Sequence, residues 1–323
     1  MENDRITLGL DVSKLTIDAC LLFANGKKRK LKFANCNSGF IELLRFLQEL
    51  PLEHIHACME PTGRYSRKLA VFLAEVGIKL SMVNTNTVKD HGRSKNIRNK
   101  TDKIDAYLLA DYCLMHNPQQ WNPPSQNRMV LRDLQNRIAN VEELIRQEEN
   151  RLEAGFESVV VEEDVKESLG RLYVRKKMLI ASARKLIQSD PVIARNFEIL
   201  HSILGLGETS VIVLLSMIDF QHFQNGRKVG AYAGLAPIFH DSGTSIHSKQ
   251  RISKAGNTRL RGALYFPAMA AMQHNPQFRE FAQRLKAKGK KGKVIICAVM
   301  RKLLVLASTL IRKQAFYDPS YSL

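Results

Sequence analysis

The chain has 323 residues, 45% hydrophobic and 25% charged, the balance of a soluble globular protein with length for two or three domains. Forty-nine Lys and Arg against 31 Asp and Glu give a formal charge of +18 and a pI near 9.8, which points to a polyanionic partner, nucleic acid before an anionic membrane surface. No apolar run nears the ~20 residues that span a bilayer, Met1 to Leu10 lacks the apolar core of a signal peptide, and Cys20, Cys36, Cys58, Cys113 and Cys297, odd in number with no CxxC pair, read as reduced thiols in a cytosolic protein without structural zinc.

In chain order, Ile6, Leu8 and Leu10 alternate with Thr7, Gly9 and Asp11, which predicts a first strand over 6–11. A second alternating run, 16–23, ends at the Asn25-Gly26 turn, and a third short strand follows over 29–33. Ser38 is placed to cap an amphipathic helix running to Leu50; a strand over 54–59, a helix over 64–76 stopped by Gly77, and a strand over 79–83 come next. A three-strand meander followed by strand-helix-strand units is an α/β order. Trp121-Asn122-Pro123-Pro124 interrupts helix and reads as a linker. Beyond it Leu131, Leu134, Ile138, Val141, Ile145 and Leu152 fall on heptad seam positions, and Leu169, Leu172, Leu179, Ala183 and Leu186 repeat the spacing. Two long helices are predicted, paired as an antiparallel hairpin or across a subunit interface. Asp190-Pro191 closes this segment, and a third region, rich in Gly and basic residues, follows.

Four carboxylates stand out by position. Asp11 ends the first strand and Glu60 follows the fourth, so parallel pairing of those strands brings both to one sheet edge. Asp102 and Asp105, three residues apart, share a helix face. Four hard oxygen donors converging on one point hold two magnesium ions roughly 4 Å apart, a device for phosphodiester chemistry. Singly, each acid has an ordinary account: Asp102 favours the first turn of a helix capped by Thr101, and Glu60 precedes the Pro61-Thr62-Gly63 turn. The basic setting of Lys89, Arg93, Lys95, Arg98, Lys100 and Lys103 argues for the joint reading, because a metal site acting on nucleic acid needs a phosphate-binding surface beside it.

In the third region, His201 to Thr209 with Gly205 and Gly207 has the pattern of a helix-hairpin-helix turn that approaches DNA phosphate, or of a tight turn alone. From Lys249 to Lys302 fourteen Lys or Arg face one acid, Glu280, an excess better explained by phosphate contacts than by a solvated helix face. The candidate contacts are Lys249, Arg251, Lys254, Arg259 and Arg261, with Lys288, Lys290, Lys291 and Lys293 in the densest run. Asp241-Ser242-Gly243-Thr244-Ser245 is a polar loop whose Ser242 hydroxyl has room to reach a phosphodiester, although a lone serine in such a loop is ordinarily a turn residue. Tyr232 and Tyr265 compete as nucleophiles, but apolar neighbours such as Leu235 and Leu264 place them in the core.

These residues meet a known pattern. Gly9-Leu10-Asp11, Glu60-Pro61-Thr62-Gly63-Arg64-Tyr65, the stretch Arg98 to Ala106, Ala233-Gly234-Leu235-Ala236-Pro237, Ser242-Gly243, Ile252-Ser253-Lys254-Ala255-Gly256 and the stretch Gly289 to Lys293 stand in order and at compatible spacing. Over nearly its whole length the chain resembles the DEDD insertion-sequence transposases related to Piv invertases, a family that includes bridge-RNA-guided recombinases. The resemblance implies an α/β RNase-H-like (RuvC-like) domain over 1–120, with Asp11, Glu60, Asp102 and Asp105 as ligands of Mg2+, for which Mn2+ can substitute. It implies a helical coiled-coil connector over 125–190 and a mainly α carboxy-terminal domain over 195–323 with a helix-hairpin-helix-like element. There Ser242 attacks DNA in a composite site with the metal carboxylates, leaving a 5′-phosphoserine and a free 3′-hydroxyl. The implied partners are donor and target DNA, a structured bridge RNA that selects both by pairing, and further copies of the chain, dimer to tetramer, with no membrane and a bacterial cytoplasmic, nucleoid-associated location. The chain departs from many relatives in carrying Leu204, not proline, before Gly205.

Two other readings compete. One is a two-metal endonuclease or Holliday-junction resolvase in which water attacks and Ser242 is a loop residue; the other is a basic RNA-binding or architectural protein whose acids are structural. The acidic tetrad argues against the latter, and covalent capture of DNA separates the former from a serine recombinase.

Overall fold

A computed structural model describes residues 5–97, 101–223, 225–238, 241–242, 246–247 and 251–320. The chain divides into two compact units, Met1–Pro123 and Pro124–Leu323.

The first unit is α/β. Its sheet comprises β1 (Ile6–Val12), β2 (Thr16–Phe23), β3 (Lys28–Ala34), β4 (Ile55–Met59) and β5 (Lys79–Met82) in the order β3-β2-β1-β4-β5. β1, β2 and β3 form the antiparallel meander, and β4 and β5 extend the other side of β1 in parallel. The Asn25-Gly26 turn works because Gly26 adopts φ +81°, the left-handed region that glycine enters without a Cβ penalty.

The two faces of β1 have different partners. Ile6, Leu8, Leu10 and Val12 are buried in an apolar layer with Phe40 and Leu43 of α1 (Asn37–Leu47) and Leu69 and Leu73 of α2 (Arg64–Glu75). At about 1.5–3 kcal/mol for each large apolar side chain fully buried, this layer is the main source of the unit's stability. Thr7, Gly9 and Asp11 alternate to the opposite face. There α4 (Asp102–His116) crosses β1: the Thr7 hydroxyl donates to the Ala110 carbonyl at 2.9 Å, and Ala106 and Ala110 lie directly over Gly9. A Cβ on Gly9 would stand 1.9 Å from the Ala106 oxygen and 2.4 Å from the Ala110 nitrogen, so only glycine admits the helix at this depth. α3 (Thr85–Ser94) packs on α4 through Val88 and Leu108, and His91 pairs with Asp111 at 2.7 Å.

One boundary differs from expectation. Helix α1 is capped by Cys36, without a side-chain hydrogen bond, in place of Ser38, and stops at Leu47 rather than Leu50. Pro51 keeps Leu50 out of the helix, because the residue before a proline is pushed out of the α region, and the chain between them closes in turns, the Gln48 N–H donating to the Arg45 carbonyl and the Leu50 N–H to the Leu47 carbonyl.

The second unit is mostly helical. Ser125 caps α5 (Gln126–Ala154), and four residues later α6 (Val159–Ser189) returns along it. The pair is antiparallel, since Glu142 meets Lys176 at 2.9 Å while Glu149, further along α5, meets Tyr173, earlier on α6. Leu131, Ile138, Val141 and Ile145 are buried on α5, and Val165, Ala183 and Ile187 on α6. Leu131, Ala183 and Ile187 join one core with α7 (Pro191–His201), α8 (Glu208–Met217), α10 (Thr258–His274) and α12 (Gly292–Lys313). On α6, Val160, Val174 and Met178 are exposed.

Two expectations need correction here. Helix α12 is long and apolar enough to cross a membrane by length and composition, although no such run was expected; 56% of its apolar window is buried in this core, and Arg301 and Lys302 sit midway along it. Between α7 and α8 the turn carries both glycines: Gly205, at φ +106°, faces α10, where a Cβ would stand 2.6 Å from the Ala271 nitrogen, while Gly207, the N-cap of α8, has open space about it and Glu208 pairs with Arg184. Tyr232 and Tyr265 are 42% and 40% exposed, not core aromatics. The buried stripe of α10 is Leu260, Leu264, Pro267, Ala268 and Ala271, and Tyr265, one residue from Leu264, falls about 100° off that stripe.

The close approach at Gly9 generates a stability prediction. Gly9→Ala forces α4 off the sheet, so the first unit's unfolding transition drops by about 3 kcal/mol or more, at the upper end of overpacking costs. Urea unfolding followed by circular dichroism checks this; an unchanged midpoint would mean that α4 shifts freely.

Candidate active site

The register of the sheet places the first two acids. β1 and β4 pair in parallel with Gly9 opposite Cys58 and Leu10 opposite Met59, and the next residues along are Asp11 and Glu60. Cys58, two residues before Glu60, is buried against α3 and α4 with Val88 and Leu109. Helix α4 brings the other two: Thr101 caps it by accepting from the Ile104 N–H at 3.3 Å, which puts Asp102 and Asp105 in its first turn. The seating of α4 on Gly9 then carries that turn to the end of β1. All four carboxylates line one cleft of about 510 Å³, closed on the other side by Thr85, Lys89, Gly92 and Arg93 of α3.

The electrostatics follow from this crowding. The Asp11 carboxyl is pushed up to about 6, first by burial and then by Asp105, Asp102, Glu60 and Asp18 in turn. Asp18 went unnoticed in the sequence. It is directly opposite Asp11 across the β1–β2 ladder, 5% exposed, and held by Lys32 at 3.0 Å. An acid inside the alternating strand 16–23 was the available signal. The donor set is all oxygen, mutually repelling and open to solvent on one side, which fits a hard divalent cation that keeps some of its waters. Among the described residues no three His, Cys, Asp or Glu side chains are drawn together tightly enough to cage an ion, so the acids line a cleft and do not form a closed shell.

The basic residues named from the sequence divide by their contacts. Arg93 lines the acidic cleft and bridges Asp90 at 3.0 Å. Lys95 turns instead to Asp111, whose carboxyl burial pushes up but which hydrogen bonds from Lys95 and His91 hold below the ordinary aspartate range. Arg98, Lys100 and Lys249 lie outside the described residues. Arg259 donates to Asn136 at 2.7 Å, and Arg261 to the Ala233 carbonyl at 3.1 Å and the Thr258 hydroxyl at 3.0 Å, so both tie the fold together. Lys288, Lys290, Lys291 and Lys293 are exposed between α11 (Pro276–Ala287) and the first turn of α12.

Ser242 stands at the end of a short strand rather than in an open loop. β7 (Asp241–Ser242) pairs with β8 (Ile246–His247), Ser242 opposite Ile246, while Gly243, Thr244 and Ser245 fall outside the described residues. The motifs flanking this hairpin hold its base. β6 (Pro237–Ile238) pairs with β9 (Arg251–Ile252), the Ser253 N–H donates to the Ala236 carbonyl at 2.8 Å, and the Lys254 N–H to the Gly234 carbonyl at 3.1 Å. Gly256 has no room for a side chain, since a Cβ would stand 2.4 Å from the Tyr232 oxygen. Lys254 takes φ +54°, an uncommon conformation for a residue with a Cβ. Ala233 to Pro237 and Ile252 to Gly256 thus close the base of the segment that presents Ser242.

The raised Asp11 carboxyl makes stability depend on pH. Below the unfolded value of 3.8 Asp11 is protonated in both states and costs nothing; as pH rises through about 6 the folded protein must ionise it against its neighbours and loses stability. Asp11→Asn therefore melts higher than wild type at pH ~8 in the absence of divalent cations, and the gain vanishes toward pH ~4. Thermal scans across that range check it; a pH-independent difference would remove the repulsion from the account.

Comparison with known proteins bears on this geometry. A family model described as a DEDD-type transposase matches residues 8–160, and a second, the transposase IS116/IS110/IS902 family, matches 197–283. The pilin gene-inverting proteins of Moraxella lacunata and Moraxella bovis are each 34% identical over 315 residues, covering 96% of this chain and 97% of theirs. An uncharacterized 43.6 kDa protein of insertion element IS110 from Streptomyces coelicolor is 28% identical over 152 residues, covering 47% of this chain and 36% of its own. With both parts of the chain matched and relatives aligned over nearly its full length, the chain belongs to the IS110-type family of DEDD transposases.

Proposed function

We propose that the chain is a DNA recombinase that cleaves strands and rejoins them to new partners. The observation that carries this reading is the gathering of Asp11, Glu60, Asp102 and Asp105 along one cleft beside Lys89 and Arg93. The sheet order β3-β2-β1-β4-β5, with acids at the ends of β1 and β4 and on the helix over β1, supports an RNase-H-like domain. The moderate identity to proteins named as gene-inverting supports strand exchange rather than plain hydrolysis.

In this reading the four acids hold Mg2+, with Mn2+ able to substitute. The ion, when bound, polarises the phosphodiester and stabilises the departing oxygen. Lys89 and Arg93 hold backbone phosphates at the mouth of the cleft. The Ser242 hydroxyl attacks phosphorus and loses its proton; the bond from phosphorus to the 3′-oxygen breaks, that oxygen takes up a proton, and the 5′-phosphate stays on serine as an ester. A 3′-hydroxyl of another strand reverses the step, re-forming the phosphodiester and releasing the serine hydroxyl, so no outside energy source is needed. A bridge RNA selects donor and target by pairing, in place of a protein reader of sequence. The chain works as an even-numbered assembly, since each copy brings one Ser242 and the exposed Val160, Val174 and Met178 of α6 await an apolar partner.

A denaturing gel with end-labelled DNA tests the chemistry. Wild type forms a covalent protein–DNA species in Mg2+ and none in a chelator; Asp11→Ala and Glu60→Ala lose both cleavage and that species, Ser242→Ala loses them while still binding DNA, and Ser245→Ala keeps them. Cleavage without any covalent species would favour a two-metal nuclease using water, and full recombination after complete RNase treatment would remove the guide RNA. Light scattering tests the assembly: Val174→Asp with Met178→Asp shifts it to single subunits with the fold intact, and an unchanged mass would move the interface elsewhere.

A further inference from the structure

A second cluster, of cations, lies in the carboxy-terminal unit. A groove of about 660 Å³ is bounded by β6, β9, α11 and α12. Five cations reach it: Arg227 from α9 (Gly226–Tyr232), Arg251 from β9, and Lys293, Arg301 and Lys302 from α12. Among the described residues no acid lines it, and none of the five is ion-paired. Its floor is apolar, with Ile252, Phe281, Val294 and Ala298.

The groove is built with care. Gly230 of α9 leaves the stem of Arg301 to pass within 3.3 Å of where a Cβ would be. Lys302 lies over the Phe281 ring at 4.3 Å, and burial, with Arg284 nearby, holds its ammonium below the ordinary lysine value. Crowding unpaired cations over an apolar floor costs free energy unless a polyanion with an apolar part is the occupant.

Single-stranded nucleic acid has that character, its phosphates meeting the rim and its exposed bases the floor and the Phe281 ring. A duplex would hide its bases and leave the floor unpartnered. Among the described residues the lining contains cationic and apolar side chains and one thiol, with no hydroxyl, amide or carboxylate to accept from a ribose 2′-hydroxyl, which favours DNA over RNA. The groove also adjoins the base of the Ser242 hairpin, for Pro237 and Arg251 line it and belong to the strand pair through which that segment leaves and returns.

We propose that this groove holds the unpaired DNA strand that flanks the bond attacked by Ser242, phosphates on Arg227, Arg251, Lys293, Arg301 and Lys302, and a base against Phe281. The proposal rests on the recombinase reading and adds a strand-specific subsite to it.

Cys297, half-buried in the groove wall, and Cys36, exposed in the first unit, are built-in reporters. The full chain is titrated with fluorescein-labelled oligothymidylate of about 12 nucleotides, within the usual single-strand site range, and anisotropy is read alongside maleimide labelling located by mass spectrometry. Expected is slowed labelling of Cys297 with Cys36 unchanged, and protection lost in Arg251→Ala with Arg301→Ala. The same pair lowers the slope of log affinity against log salt by about 1.4, two single-strand phosphate contacts at roughly 0.7 each. DNA binding with Cys297 unprotected and the slope unchanged overturns the groove alone. Equal or better protection by oligouridylate, or protection by duplex only, overturns the assignment to single-stranded DNA. Failure to bind either single-stranded or duplex DNA at all overturns the recombinase reading instead.

Discussion

The contact on which the first unit's acidic cleft depends is between a helix backbone and a missing side chain. Gly9 lets the Ala106 and Ala110 backbone settle onto β1 at a depth that any Cβ would forbid. Because strand side chains alternate with period 2, the face that receives α4 at Gly9 is the face on which Asp11 emerges two residues later. Because α4 begins at a Thr101 cap, the turn that arrives beside Asp11 is the one bearing Asp102 and Asp105. A helix held a few ångströms further out would leave β1 and β4 with two acids and no partners from above.

That arrangement stores repulsion. Asp11 is crowded by three cleft acids and by buried Asp18, and the folded chain maintains the cluster against its own Coulomb energy through apolar packing on the sheet's other face. The β1 strand is thus divided between two faces, Leu8 and Leu10 in the apolar layer against Gly9 and Asp11 on the side of α4 and the cleft. Clustered like charge that the fold tolerates marks a site whose environment is completed by something of opposite sign.

The carboxy-terminal unit repeats the logic with the sign reversed. Its cations separate into those committed to the fold and those left for a partner. Arg261 holds the Ala233 carbonyl, Arg259 reaches Asn136 and Arg184 meets Glu208, whereas Arg227, Arg251 and Arg301 converge on a groove that no carboxylate lines among the described residues. Charge counting along the chain cannot make this division, since an arginine clamping a backbone carbonyl and one awaiting a phosphate contribute alike to a net +18.

What the sequence determined by itself was local. Period-2 alternation marked β1 and β2, the 3.5-residue seam marked the α5–α6 pair and left its mode of pairing open, and Thr101 marked the start of α4, because each depends on side chains a few residues apart. The ordered motifs also reached the correct family. Tertiary structure alone decided that β1 and β4 are neighbours in parallel register, that α4 lies over Gly9, that Asp18 stands across from Asp11, and that Lys95 turns to Asp111. It decided too that Tyr232 and Tyr265 face outward, where apolar neighbours in sequence had suggested burial. In each case the deciding partner lies on another element, and the energy of a close approach or an ion pair depends on distance in space, which adjacency along a chain does not set.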